Sequence, residues 1–208
     1  VHDFEQDIVT CARGISKRYM GSKRRAETLE QIALTIFDSM KRVHGMGRRE
    51  RLLLRIATLL HDCGKYISMT HTAECSYQIV MSTEIIGISH LEREIIANVV
   101  RYNIRDFDYN MVRMETELDE VTDSFSGQNE VMLLIAKLTA MLRLANSMDR
   151  SHGQKLKDCR ITVKDKTLTV SAEYSGDITL EAVSFEQKAA FFEEIFGIRP
   201  VLRHKKYV

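Results

Sequence analysis

The chain has 208 residues, 44% of them hydrophobic, so it can bury one substantial core and does not have the composition of a disordered protein. Its 30 basic and 29 acidic residues nearly cancel, which argues against a bulk nucleic-acid binder and leaves room only for local charged patches. No apolar run is long enough to span a membrane, and the four scattered cysteines form no CxxC pair. We therefore expect a cytoplasmic protein without disulfides, without a membrane segment and without a specific nucleic-acid partner.

Apolar residues recur at helical spacing through the first half of the chain. The stripes in residues 4–19 and 29–43 predict two amphipathic helices, and His44-Gly45-Met46-Gly47 should end the second. Residues 51–60 are apolar nearly all round, which is typical of a central helix covered on most sides. This helix would present His61 and Asp62 at its end, and Gly64 should end it in a left-handed conformation.

The pattern changes towards the C-terminus. Residues 76–86 predict a helix, and Ser89 and Glu92 form a capping box for another through residue 102. After a polar loop at 105–128, the apolar spacing from residue 131 predicts a long helix that ends near Met148-Asp149. Alternation in residues 161–170 around Asp165-Lys166 predicts a strand hairpin. Residues 178–180 suggest a third strand, 184–196 a helix and 200–204 a closing strand. We therefore predict a mainly α bundle (1–157) followed by a small α+β appendix (158–208).

The pair His61-Asp62 at the end of a buried helix is typical of an HD site, so the bundle is interpreted as HD-domain-like. In such a site a His, an adjacent His-Asp pair and a distant Asp converge on a divalent ion. The candidates here are His44, His61, Asp62 and Asp149, each of which ends a predicted helix. Imidazole and carboxylate ligands suit Mg, Mn or Zn. The alternative is that these four side chains only cap helix ends and bond to one another.

Four segments carry a resemblance to a known family: LLLRIATLLHDCGKYISM, SYQIVMSTEIIGISHLEREIIANVVRY, KLTAMLRLANSMDRSH and FFEEIFGIRPVLRHKK. Over nearly the whole chain, they resemble the C-terminal region of the exopolyphosphatase / guanosine pentaphosphate phosphatase family. The resemblance implies an HD-like helical domain that helps to bind polyphosphate or pppGpp and supports a homodimer. It also implies a partner, namely N-terminal actin-like ATPase-type domains that perform the hydrolysis and are absent from these 208 residues.

The carry-over of family residues is mixed. The residues that stand where the family motifs have them are His44, His61, Asp62, Gly64, Lys65, Arg101, Arg150 and His152. The family's histidine cluster before Ser-Tyr is reduced to His71, and its Arg-Tyr-His motif ends here in Asn103. These losses argue against a two-metal site, whereas a single-metal or vestigial site stays compatible with the sequence.

Basic residues near the predicted HD site are candidates for phosphate contact, because arginine forks and lysine ammonium groups bind phosphate oxygens. These candidates are Lys65, Arg101, Arg143, Arg150 and His152. The clusters Lys17-Arg18 and Lys23-Arg24-Arg25 are interpreted instead as solvated helix faces.

Three functions remain open from the sequence. The first is a phosphate-binding, dimer-supporting domain of an exopolyphosphatase-family enzyme. The second is an autonomous metal-dependent phosphohydrolase for a nucleotide or phosphomonoester, with Asp62 in its catalytic site. The third is an interaction domain with a relic HD site, whose appendix after Cys159 forms the partner surface.

Overall fold

A computed structural model describes residues 3–110 and 124–205. The first part of the fold contains α1 Phe4–Arg18, α2 Lys23–Ser39, α3 Lys41–His44, α4 Arg48–Leu60, a 3-10 helix Cys63–Tyr66, α5 Thr72–Ser82, α6 His90–Tyr102 and α7 Ser124–Ser147. The second part contains β1 Arg160–Lys164, β2 Thr167–Glu173, α8 Thr179–Phe196 and β3 Arg199–Lys205. The prediction of a mainly helical fold with a small C-terminal sheet is confirmed.

The central helix is α4, which packs against α1, α2, α6 and α7. Every residue from Leu52 to Leu60 except Arg55 is buried, as its apolar circumference predicts. The capping box that opens α6 is present, because Ser89 Oγ accepts from the Glu92 amide and the Glu92 carboxylate accepts from the Ser89 amide. The long helix α7 begins at Ser124, seven residues before the predicted start, and residues 111–123 of the predicted loop lie outside the described residues.

The three strands form one sheet in the order β1-β2-β3. The predicted hairpin is confirmed, since Val163 pairs with Leu168 and the turn residues Asp165 and Lys166 both have positive φ. β3 adds in parallel to β2. The third strand suggested at residues 178–180 is wrong, because α8 begins at Thr179. The Thr179 amide donates a 3.0 Å hydrogen bond to the carboxylate of Asp177, two residues earlier in the chain.

Gly64 is required for close packing and not for a left-handed turn. It lies in the 3-10 helix that follows His61 and Asp62, outside the positive-φ residues, so the predicted left-handed conformation is wrong. A Cβ on Gly64 would lie 2.4 Å from both the Ser76 amide nitrogen and the Thr72 carbonyl oxygen. The glycine therefore lets the segment after α4 pack directly on the backbone of α5.

The helical part and the C-terminal part share one hydrophobic core. Phe185 and Phe192 of α8 are buried in the same cluster as Leu138 and Met141 of α7. The division at residue 157 stays a prediction, and no helix of the described residues is both long and apolar enough to cross a bilayer.

Candidate functional site

The centre of the site is the buried guanidinium of Arg25, near the start of α2. Its Nη1 lies 2.6 Å from His61 Nε2, and its Nη2 donates to Asn146 Oδ1 at 2.7 Å. Its Nε lies 3.1 Å from Asp149 Oδ2, and Asp62 Oδ2 is 4.0 Å from Nη1. The ends of α4 and α7 are thus connected through a side chain of α2.

His61 is held as a neutral imidazole. Its Nδ1 lies 2.7 Å from the Thr58 carbonyl oxygen, an acceptor, so Nδ1 carries the proton. Its Nε2 therefore accepts from Arg25, which has only donors. Burial lowers the pKa of His61, and the positive charge of Arg25 lowers it further, while Asp62 raises it. The lone pair of Nε2 is already used by the guanidinium.

Asp149 anchors the loop that follows α7. Its Oδ1 accepts from the Gln154 amide at 2.7 Å, and its Oδ2 accepts from the Gln154 side-chain amide at 3.2 Å. A second buried carboxylate, Glu181 of α8, accepts from the amide and hydroxyl of Ser151. Two acidic side chains thereby fix the loop that presents Arg150 and His152.

The predicted convergence of four ligands is wrong at His44. His44 precedes α4 and His61 follows it, so a helix of 13 residues, about 20 Å long, separates them. His44 Nε2 donates to the Phe37 carbonyl at 2.9 Å, and Nδ1 accepts from the Met46 amide at 2.8 Å. Both nitrogens stabilise the turn between α3 and α4. The sequence prediction failed because the two ends of one helix, α4, lie at opposite poles of the bundle, and His44 and His61 stand at these two ends.

A polar cavity of about 350 Å³ opens beside Arg25. Its lining residues come from α2, the segment after α4, the turn after α6, α7, the following loop and α8. They are Arg25, His61, Asp62, Lys65, Asn103, Ile104, Arg143, Asn146, Ser147, Arg150, His152, Ser184, Gln187 and Lys188. Five of them are arginine or lysine, and Asp62 is the one carboxylate among them. A cavity with this excess of positive charge favours an anionic ligand.

Four of the five predicted phosphate-contact residues line this cavity, namely Lys65, Arg143, Arg150 and His152. Arg143 is largely committed to the protein, because its Nε donates to the Tyr102 carbonyl at 2.7 Å and its Nη2 donates to the Arg105 carbonyl. Arg101 lies apart. Its guanidinium stacks 3.4 Å above the Tyr77 ring, pairs with Glu74 and faces a neighbouring cavity.

Two titratable groups report the positive potential of the cavity. Burial lowers the pKa of the half-buried Lys188 on α8, and the cations of Arg143 and Arg150 lower it further. Burial also lowers the pKa of His152, with Arg25 and Lys65 adding to the effect. A bound anion would favour the protonated form of both groups.

Sequence reasoning missed Arg25, Lys188 and Glu181. Arg25 was assigned to a solvated face, yet only 5% of it is exposed. Its spacing to Leu29 and Ile32 puts it in phase with the buried stripe of α2, and that signal could have identified it. No local motif distinguishes Lys188 or Glu181, which reach the site only through the packing of α8 on α7.

The residues present do not fit a divalent ion. A guanidinium occupies the space among His61, Asp62 and Asp149, and it uses the His61 lone pair that a metal would need. With Arg25 in place, no group of three or more His, Cys, Asp or Glu in the described parts of the chain is arranged to hold a metal. The arrangement can attract and hold an anion by charge and hydrogen bonds.

The free energy of unfolding should fall as the pH drops below about 6.5. Burial lowers the pKa values of His44, His61 and His152 from 6.5 in the folded chain. The unfolded chain then binds more protons in this range, so the stabilisation is complete above about 6.5 and is lost towards lower pH. Urea unfolding across this range measures the slope. His61→Gln should reduce the slope, and a flat wild-type profile would contradict the prediction.

Comparison with protein families gives one match over most of the chain. The model of the family described as Ppx/GppA phosphatase, domain III, matches residues 9–189. The matched range includes every residue that lines the cavity.

Proposed function

Because the chain belongs to the Ppx/GppA phosphatase family, in which it corresponds to domain III, we propose that its Arg25-centred cavity binds the phosphates of polyphosphate or pppGpp. The observation that carries the proposal is the set of cations from separate elements that surround one polar cavity with a single lining carboxylate. Phosphate oxygens accept hydrogen bonds from several such groups at once.

The side chains divide into a fixed inner wall and a free outer rim. Arg25 and Arg143 are buried and bonded to protein acceptors, so they set the potential of the cavity. Lys65 and Arg150 are exposed, and each can turn towards a ligand. His152, on the loop fixed by Asp149 and Glu181, adds a donor that gains charge at lower pH.

The geometry supports this binding role over an autonomous metal-dependent hydrolase. That alternative needs His44, His61, Asp62 and Asp149 on one ion, and α4 separates His44 from the other three. The hydrolysis itself would belong to the actin-like domains that the family resemblance implies as partners. A homodimer of the complete protein also stays a prediction, which sedimentation velocity would test.

The third alternative, a separate C-terminal interaction surface, is not favoured by the packing. Ser184, Gln187 and Lys188 of α8 line the cavity, and Glu181 holds the loop beside it. Deleting the residues after Cys159 would therefore remove one wall of the binding site. We expect such a deletion to abolish anion binding.

Calorimetric titration with sodium tripolyphosphate and with a longer polyphosphate tests the proposal. Affinity should be measurable at about 50 mM salt and should fall steeply towards about 200 mM, because binding releases condensed counterions from the polyanion. The longer chain should show the steeper salt dependence. pppGpp as a third ligand separates the two substrate classes. No binding of any of the three at low salt would contradict the proposal.

A further inference from the structure

In the HD site predicted from the sequence, imidazole and carboxylate groups converge on a divalent ion, and in this structure a side-chain cation lies among them. We propose that the Arg25 guanidinium is the resident cation of the His61–Asp62–Asp149 cluster, in place of a divalent ion. Its nitrogens lie 2.6 Å from His61 Nε2, 3.1 Å from Asp149 Oδ2 and 4.0 Å from Asp62 Oδ2. The imidazole of His61 and the carboxylates of Asp62 and Asp149 therefore all face the positively charged guanidinium that α2 supplies.

The acceptors of the cluster are committed to the guanidinium and to the fold. His61 donates through Nδ1 to Thr58, so its one lone pair points at Arg25. Asp149 is fully buried, and both of its oxygens also accept from Gln154. A metal ion could enter only by displacing the arginine, whose Nη2 is held by Asn146 at 2.7 Å.

The charge of this cation is permanent. Burial lowers the pKa of Arg25, but the carboxylates of Asp149 and Asp62 raise it. An arginine side chain stays protonated in proteins. The positive potential of the cavity therefore depends on neither the metal supply nor a chelator. A guanidinium is a hydrogen-bond donor and not a Lewis acid, so it cannot lower the pKa of a bound water as a metal ion does.

Removing the guanidinium should leave a vacancy lined by one imidazole, two carboxylates and the Asn146 amide oxygen. These are the ligand types that bind Mn²⁺ and Zn²⁺. The proposal therefore predicts that a loss of charge at residue 25 creates a metal site that the wild-type chain does not have. This prediction does not depend on which phosphate the cavity binds, or on whether it binds one.

The experiment compares wild type, Arg25→Ala and Arg24→Ala by calorimetric titration with MnCl₂ and ZnCl₂, with metal analysis after desalting. Arg24 is the exposed neighbour of Arg25 on the same helix and is the matched control. Wild type and Arg24→Ala should bind no metal at this cluster. Arg25→Ala should bind one equivalent, and the added substitution Asp62→Asn should remove it.

Two outcomes would overturn the proposal. The first is a wild-type chain that binds one equivalent of metal and loses it in Asp62→Asn. The second is an Arg25→Ala protein that has a native circular dichroism spectrum and binds no metal. If Arg25→Ala does not fold alone, Arg25→Leu retains the packing of the aliphatic stem and is judged by the same criteria. If neither variant folds without metal, folding restored by Mn²⁺ or Zn²⁺ supports the proposal, and no restoration counts against it.

Discussion

Replacing Asp149 by alanine is expected to lower the free energy of unfolding by about 3–5 kcal/mol, because it leaves the buried Arg25 without its nearest carboxylate. Asp149 has no exposed surface, and only 5% of Arg25 is exposed. The substitution also removes the acceptor of the Gln154 amide, which is buried and bonded at 2.7 Å. Urea unfolding followed by circular dichroism near neutral pH measures the loss.

Three control variants separate the causes of this loss. Asp158→Ala removes an exposed carboxylate after the same loop and should change stability by less than about 0.5 kcal/mol. Asp149→Asn keeps an acceptor for Gln154 but loses the charge, so it should fall between wild type and Asp149→Ala. Adding Arg25→Leu to Asp149→Ala should cost less than the sum of the two single changes. A loss below about 1 kcal/mol for Asp149→Ala would contradict the ion-pair account.

The helices could be predicted from the sequence because their burial is periodic. The stripe of α2 and the nearly complete burial of α4 are both visible as apolar spacing, and they were found where expected. The hairpin was also predictable, since Asp165-Lys166 adopts the positive φ values that a tight turn requires. Boundaries were less certain. α8 begins at Thr179, inside the short apolar run at residues 178–180 that suggests a strand.

The site was only partly predictable, for a physical reason. His61, Asp62 and Asp149 stand at helix ends, and the packing of α4 beside α7 brings those ends near one another. The sequence does not show at which pole of the bundle a helix ends. The prediction therefore groups His44 with these residues, although His44 lies at the opposite end of α4. Arg25 was misread because a charged residue is exposed by default. Its burial is stabilised by two carboxylates and an imidazole that are distant in sequence.

The same assembly explains why α8 belongs to the site. Burial lowers the pKa of Lys188, and the charges of Arg143 and Arg150 lower it further, while Asp106 raises it. Three cations at one cavity wall repel one another, which costs stability in the free protein. A bound anion would neutralise these cations and so remove the cost of their repulsion. This repulsion favours ligand binding as the role of the cavity over a purely structural one.

The double variant Arg150→Ala/Lys188→Ala is expected to weaken tripolyphosphate binding by about 100-fold at low salt, or about 1.4 kcal/mol for each lost cation. Both side chains line the cavity, and neither is held in it by an ion pair among the described residues. Calorimetric titration measures the affinity. The difference from wild type should shrink at high salt, where charge interactions are screened.

The matched control is Lys164→Ala on the exposed face of β1, outside the residues that line the cavity. It removes one positive charge from the chain and should change the affinity by less than about twofold, because Lys164 does not line the cavity and solvent screens exposed charges. The double variant should be at least as stable to urea as wild type, since Arg150 is exposed and the loss of Lys188 removes its repulsion with Arg143. Unaltered affinity in a folded double variant would mean that the anion binds elsewhere on this protein.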